Sequence, residues 1–207
     1  MNDTKNLYVV VSRTNTKIGL LIRKVTRHSY NHVSLAIDED LNEIYSFARY
    51  RINTSLVGGF IRESLLRYYR GVDSFNLKIY KLDVSKKQYE RVIAKLADIK
   101  DHRQLYIYDT LEALGVRRNK CKTRYKMYTC ISFITSILEE AEILHEVSRV
   151  RTIKKLENKL IGYPVHIKKI TKDDMHKYQW FEDEFEIKDG VIEGMKKTLC
   201  HFKKMIS

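Results

Sequence analysis

The sequence predicts a mixed α and β (α+β) fold in a single domain over residues 1–207, and three observations carry that reading. Short runs rich in β-branched and aromatic residues recur along the chain: LYVVVS (7–12), NHVSLAI (31–37), EIYSFA (43–48) and FNLKIYKL (75–82). Between them lie longer segments whose apolar residues return every three or four positions, as in amphipathic helices. Finally, 207 residues with 43% hydrophobic content can fill one core, but not two large domains. With only 8 glycines and one proline, Pro164, the chain is neither disordered nor linker-rich.

In chain order, residues 7–12 read as a buried strand. Residues 16–27 follow as an amphipathic helix with Ile18, Leu21, Ile22 and Val25 on its inner face and Lys17, Arg23, Lys24 and Arg27 off it. A helix of a second layer explains this pattern, and a membrane-surface helix would share it. Strand 31–37 sets His32, Ser34 and Ala36 against Val33, Leu35 and Ile37, and the turn 38–42 joins it to 43–48 in a hairpin. Gly58-Gly59 marks a tight turn or a close backbone approach before 60–69.

Strand 75–82 leads into a helix over 84–99, with Ser85 as N-cap and Tyr89, Val92, Ile93 and Leu96 inward. Residues 106–114 read as a short helix stopped by Gly115, and 117–126 as an exposed basic loop. The most regular helix covers 129–143, with Ile131, Ile134, Ile137, Leu138 and Ala141 inward and Glu139, Glu140 and Glu142 outward. A strand near 165–170 and a lysine-rich C-terminal helix complete the pattern.

Lysine and arginine outnumber aspartate and glutamate 39 to 26, a formal charge of +13. The excess is spread along the chain, as on a solvated lysine-rich surface, and not gathered in one block. The stretch RRNKCKTRYKMY (117–128), where cations alternate with aromatics, keeps a basic nucleic-acid-binding module as an alternative function. No recognition motif accompanies it, so nucleic acid is not the expected partner.

No apolar run reaches the roughly 18 residues of a membrane span, and MNDTKNLYVVVSRTNTK lacks the apolar stretch of a secretion signal. Cys121, Cys130 and Cys200 are odd in number and show no CxxC spacing. Together these point to a reducing, cytoplasmic setting and a protein not integral to a membrane. Gly58-Gly59 lacks the following Lys-Ser/Thr of a phosphate loop, and no cluster has metal-ligand spacing, so neither cofactor nor metal is expected.

Cys130 opens the 129–143 helix directly after Thr129, a good N-cap. A thiol there meets the positive end of the helix dipole and unpaired backbone N–H groups, which favour thiolate and could hold an oxyanion. His32, near the start of its strand, is the candidate base, brought to the cysteine by folding. Cys121, in the basic loop, and Cys200, in the C-terminal helix, are weaker nucleophile candidates. By position alone, a cysteine in an apolar helix and a lone histidine on a strand are more often ordinary packing residues than a catalytic pair.

The runs YNHVSLAID (30–38), EIYSFAR (43–49), GGFIRES (58–64) and YTCISFITSIL (128–138) together resemble the circularly permuted branch of the NlpC-type papain-like cysteine peptidases. That branch includes YiiX-like proteins and, more distantly, lecithin:retinol acyltransferase. KIYKLDVSKKQYERV and GYPVHIKKITKDD extend the likeness over most of the chain. The resemblance implies a papain-like fold with an antiparallel sheet packed on helices, a histidine strand preceding a cysteine helix, and that cysteine at the helix N-terminus. It makes Cys130 the nucleophile and His32 the general base of a hydrolase acting through an acyl-enzyme on a peptide, another amide or a lipid-derived substrate. Acyl transfer on the same frame is the close variant, and a membrane surface is then a natural contact.

In relatives a carboxylate usually follows on the next strand; here that place falls at Ser46-Phe47, so Ser46 is expected to orient the imidazole through its hydroxyl. Glu63 is the other polar candidate, and Glu63, Tyr8 and Tyr128 are expected along the substrate pocket.

Overall fold

The computed structural model describes residues 4–54, 56–69, 72–115, 124–177 and 188–206. Its frame is one six-stranded sheet. The central strand β1 (Thr4–Ser12) pairs with β2 (His32–Ala36) on one side and with β5 (Ser74–Ser85) on the other. Beyond β2 come β3 (Ile44–Arg49) and β4 (Gly58–Arg62), and beyond β5 comes β8 (Val165–Thr171). The order is β4-β3-β2-β1-β5-β8 and every neighbouring pair is antiparallel. Thus the fold is α+β with an antiparallel sheet, as the alternating runs require.

Strand alternation divides the core in two. Leu7, Val9, Val11, Val33, Leu35 and Phe47 face the main core, which α2 (Lys86–Asp101) and α4 (Cys130–Glu140) close. Tyr8, Val10, Ala36, Ile44, Leu77 and Ile79 form a second, smaller core on the opposite face. Helices α2 and α4 each begin with a capping box: Ser85 with Gln88 on α2, and Thr129 with Ser132 on α4. The remaining helices are α1 (Lys17–Thr26), the single turn α3 (Thr110–Ala113), α5 (Ile153–Lys159) and α6 (Val191–Ile206).

Two sequence readings change, and a third falls largely outside the described residues. Residues 106–114 are not one helix: Tyr106–Tyr108 form strand β6, parallel to β7 (Lys126–Tyr128), and Asp109 caps α3 by accepting from Glu112 N at 2.9 Å. A Tyr-Ile-Tyr run with a partner strand outweighs a weak helical pattern. The basic loop 117–126, with Cys121, lies largely outside the described residues, and Lys126 belongs to β7. Helix α4 ends at Glu140, because the chain turns into the left-handed region at Glu142 (φ 58°).

Of the two readings offered for Gly58-Gly59, the structure takes the close backbone approach. The pair makes a close approach within a strand: a Cβ on Gly58 would strike the Ala48 backbone, and one on Gly59 the Tyr50 ring.

The inward face of α4 turns on Phe133, fully buried between Phe47 and Phe60 at ring separations of 5.1 and 5.8 Å. This cluster sets the distance between α4 and the strands that carry the polar residues described below. Phe133→Ala is expected to lower stability by about 3–5 kcal/mol, read from the denaturant midpoint at unchanged slope.

Candidate active site

Thr129 starts α4 by accepting from Ser132 N at 3.1 Å, while its own N–H donates to Ser132 Oγ at 2.8 Å. This cap leaves the N–H groups of Cys130 and Ile131, the first two helical residues, without intrahelical acceptors. Cys130 is buried at the helix terminus, near enough to the His32 ring to help raise its pKa. His32 opens β2 opposite Ser12 of β1, so the central strands fix its backbone.

The other side of the ring meets a carboxylate. His32 Nε2 lies 2.6 Å from Glu63 Oε1. Glu63 follows β4 directly and is tied by its N–H to Ile44 O at 2.7 Å. Its side chain is buried within a set of donors. Besides His32, Oε1 accepts from Ser46 Oγ at 2.8 Å. Oε2 accepts from Tyr68 OH at 2.8 Å and from Ser34 Oγ. Four donors match the four lone-pair directions of a carboxylate, so an otherwise costly buried charge is fully satisfied.

Burial alone would push Glu63 toward its neutral form. The positive His32 ring and its hydrogen bond, the Arg67 charge and the Ser34 hydroxyl outweigh this and hold its pKa down at about 2. Burial likewise lowers the His32 pKa, but the Glu63 charge and the hydrogen bonds to Cys130 and Glu63 raise it to about 10. Tyr68 is driven the other way: burial, then the Glu63 charge, lift its pKa well above the ordinary value, so it remains a donor.

A cleft passes this group in two arms of about 670 and 530 Å3, open mouths included. The polar arm, beside His32 and Glu63, is lined by Thr14, Thr16, Asn31, Arg49, Arg67 and Thr110. The other arm runs past Cys130 and is more apolar, with Ile22, Tyr30, Ala113, Ile131 and Ile153. Tyr108 lines both arms. Burial, followed by the proximity of the Cys130 charge, raises its pKa, so its hydroxyl keeps its proton at neutral pH. The Tyr108 carbonyl accepts from His201 Nε2 on α6 at 3.0 Å. Helix α6 is itself tied to the β3–β4 loop through Asp189, which meets Lys197 at 2.5 Å and Thr54 Oγ1 at 2.9 Å.

Of the residues singled out from sequence, the fold brings Cys130, His32, Glu63 and Ser46 together. Two roles exchange. The Ser46 hydroxyl donates to Glu63, not to the imidazole, so it steadies the carboxylate that orients the ring; Glu63 is the direct partner of His32. The reason is topological: antiparallel pairing sets Ser46 opposite Ile61, and the chain beyond β4 returns Glu63 to the histidine.

Tyr8 is not in the cleft. It points to the second core and its hydroxyl lies 3.4 Å from Glu39. Tyr128 packs against Phe47 at 5.2 Å and Tyr106 at 6.2 Å in the aromatic cluster and does not line either arm. Tyr108, Arg49 and Arg67 were not anticipated; the alternation Tyr106-x-Tyr108 before an Asp cap was the available signal for the first. Among the described residues no three His, Cys, Asp or Glu are grouped to hold a metal ion. No family model, no curated protein and no solved structure matches this chain.

The pair has a defined pH signature. His32 is raised from 6.5, so its stabilising share is complete below pH 6.5 and fades as pH rises toward about 10. Glu63 is lowered from 4.5, so its share is complete above pH 4.5 and fades toward about 2. The stability difference between the native chain and Glu63→Gln should therefore peak between pH 4.5 and 6.5 and shrink on both sides. Its maximum is expected at about 3–5 kcal/mol, checked by denaturation across that range.

Proposed function

We propose that this chain is a cysteine-dependent hydrolase of amidase or peptidase type on a circularly permuted papain-like frame, with Cys130 as nucleophile and His32 as its acid–base partner. One observation carries the reading. An imidazole held by a buried, fully hydrogen-bonded carboxylate lies near a cysteine that opens a helix. That is the nucleophile, base and orienting group of acyl-transfer chemistry. The chain order, histidine strand before cysteine helix, supports the permuted frame.

The Glu63 charge favours a protonated His32 ring, and in this proposal Cys130 enters the reaction with its proton already on that ring. In the proposed reaction Sγ attacks the substrate carbonyl carbon and an S–C bond forms. The oxyanion is held by the free N–H groups at the start of α4 and by the Tyr108 hydroxyl. His32 then gives its proton to the leaving nitrogen as the C–N bond breaks. Water attacks the resulting thioester, His32 takes a proton from it, and the S–C bond breaks to release the acid. An acceptor alcohol or amine in place of water would make the same first half an acyl transfer. The two arms suit a substrate with a polar or anionic portion toward Arg49 and Arg67 and an apolar portion toward Ile131 and Ile153.

With Cys121 and Cys200 replaced by serine, iodoacetamide near pH 7 should label Cys130 stoichiometrically, as mass spectrometry will read. His32→Ala should slow that labelling at least about tenfold. Labelling that ignores His32 would remove the catalytic reading. Once a substrate is found from an amide and ester panel, Cys130→Ala should abolish turnover and Glu63→Gln should cut kcat about 10²–10⁴-fold. Tyr108→Phe should cost about 10-fold or more in kcat, with KM nearly unchanged.

A further inference from the structure

The outer side of α1 exposes two adjacent leucines beside Lys24. Leu21, expected inward from its spacing, is 49% exposed, and its neighbour Leu20 is 55% exposed. The helix cannot roll to hide them. On its inner side Gly19 sits so close to Asn31 and Thr14 that no Cβ would fit. Arg23 Nη1 also clamps the helix, donating to Thr14 O at 2.7 Å and Asn31 Oδ1 at 3.2 Å. Thr16, Gly19 and Ile22 line the cleft, so α1 is its roof and the two leucines lie on the far side.

The segment that carries this helix has charge of one sign, although Glu112 lines the cleft beside Ile22 and Thr26 and Glu157 pairs with His28. Between Thr4 and Ile37 the chain carries Lys5, Arg13, Lys17, Arg23, Lys24 and Arg27 and no aspartate or glutamate. Arg13, Lys24 and Arg27 are exposed. An adjacent apolar pair among cations does not suit a second copy of this chain, since a symmetric contact would oppose like charges. It does not suit a nucleic-acid backbone either, which has no use for leucine side chains. It matches an anionic bilayer surface, where cations meet lipid headgroups and leucines enter the acyl boundary. No described helix is long and apolar enough to cross a membrane, so the contact would be interfacial.

We propose that α1 is a docking helix for an anionic lipid surface: Leu20 and Leu21 insert, and Arg13, Lys24 and Arg27 pair with headgroups. Docking through the roof of the cleft sets the Cys130–His32 site beside the bilayer. The proposal does not depend on the catalytic reading, because binding needs neither Cys130 nor His32.

The test is co-sedimentation of the full chain carrying Cys130→Ser with phosphatidylcholine vesicles, with or without about 30% phosphatidylserine. Binding is expected with phosphatidylserine, weaker without it, and diminished by salt. Leu20→Ser/Leu21→Ser should weaken it about tenfold or more at an unchanged melting temperature, because both side chains are already exposed. Lys24→Gln should weaken it about fivefold. Met195→Ser/Leu199→Ser, in an exposed apolar stripe of α6, should leave it unchanged.

Absence of binding to the phosphatidylserine vesicles would overturn the proposal. So would full binding by the double leucine variant, loss through the α6 variant instead, or retention on single-stranded RNA that displaces the vesicles and ignores the leucines. Cys130 labelling that still requires His32 would, in each case, leave the enzyme reading standing.

Discussion

The buried carboxylate of Glu63 is the constraint on which the rest of the structure turns. An unpaired charge at that depth would cost several kcal/mol, so the surrounding strands must supply donors. They do so from three directions: Ser34 and His32 from β2, Ser46 from β3, and Tyr68 from the short helical turn after β4. A consequence is that the imidazole has one orientation open to it. The same carboxylate that must be satisfied by the fold fixes the ring that faces Cys130, so stability and site geometry share one set of hydrogen bonds.

A second layer of support comes from hydrophobic packing. Phe133, Phe47 and Phe60 set how closely α4 approaches the sheet, and therefore where its N-terminus presents Cys130. The wall opposite is built from β6 and α3, with the Tyr108 carbonyl anchored by His201 of α6. Helix α6 is far from Cys130 in sequence, yet it steadies the strand that carries Tyr108. Changes in α6 would be expected to reach the site through that hydrogen bond.

Much of the frame was legible because it rests on local signals. Period-two alternation marked the long strands, and Ser85 and Thr129 announced the starts of α2 and α4. Cys130 and His32 were visible for related reasons, one as the first residue of a capped helix and the other at the start of an alternating strand. What failed depended on distant partners. Tyr106–Tyr108 became a strand only by pairing with Lys126–Tyr128, which no local window contains. Glu63 lies 31 positions from His32 and meets it through a strand crossing, whereas Ser46 was nearer in the expected pattern. Tyr8 was misplaced because alternation tells which residues share a face but not which face holds the cleft. Leu21 followed helical spacing, yet the clamp at Gly19 and Arg23 set the rotation of α1.

The central claim is that Glu63 holds His32 as a charged, oriented ring beside Cys130. The most direct measurement is a pH titration of the His32 ring nitrogens by NMR on chain labelled with 15N-histidine, with His32→Gln to assign the signal. The account predicts an imidazolium that persists through neutral pH and titrates near pH 10, and that Glu63→Gln returns to an ordinary or lower value. A His32 ring that titrates near 6.5 and is indifferent to Glu63→Gln would contradict it.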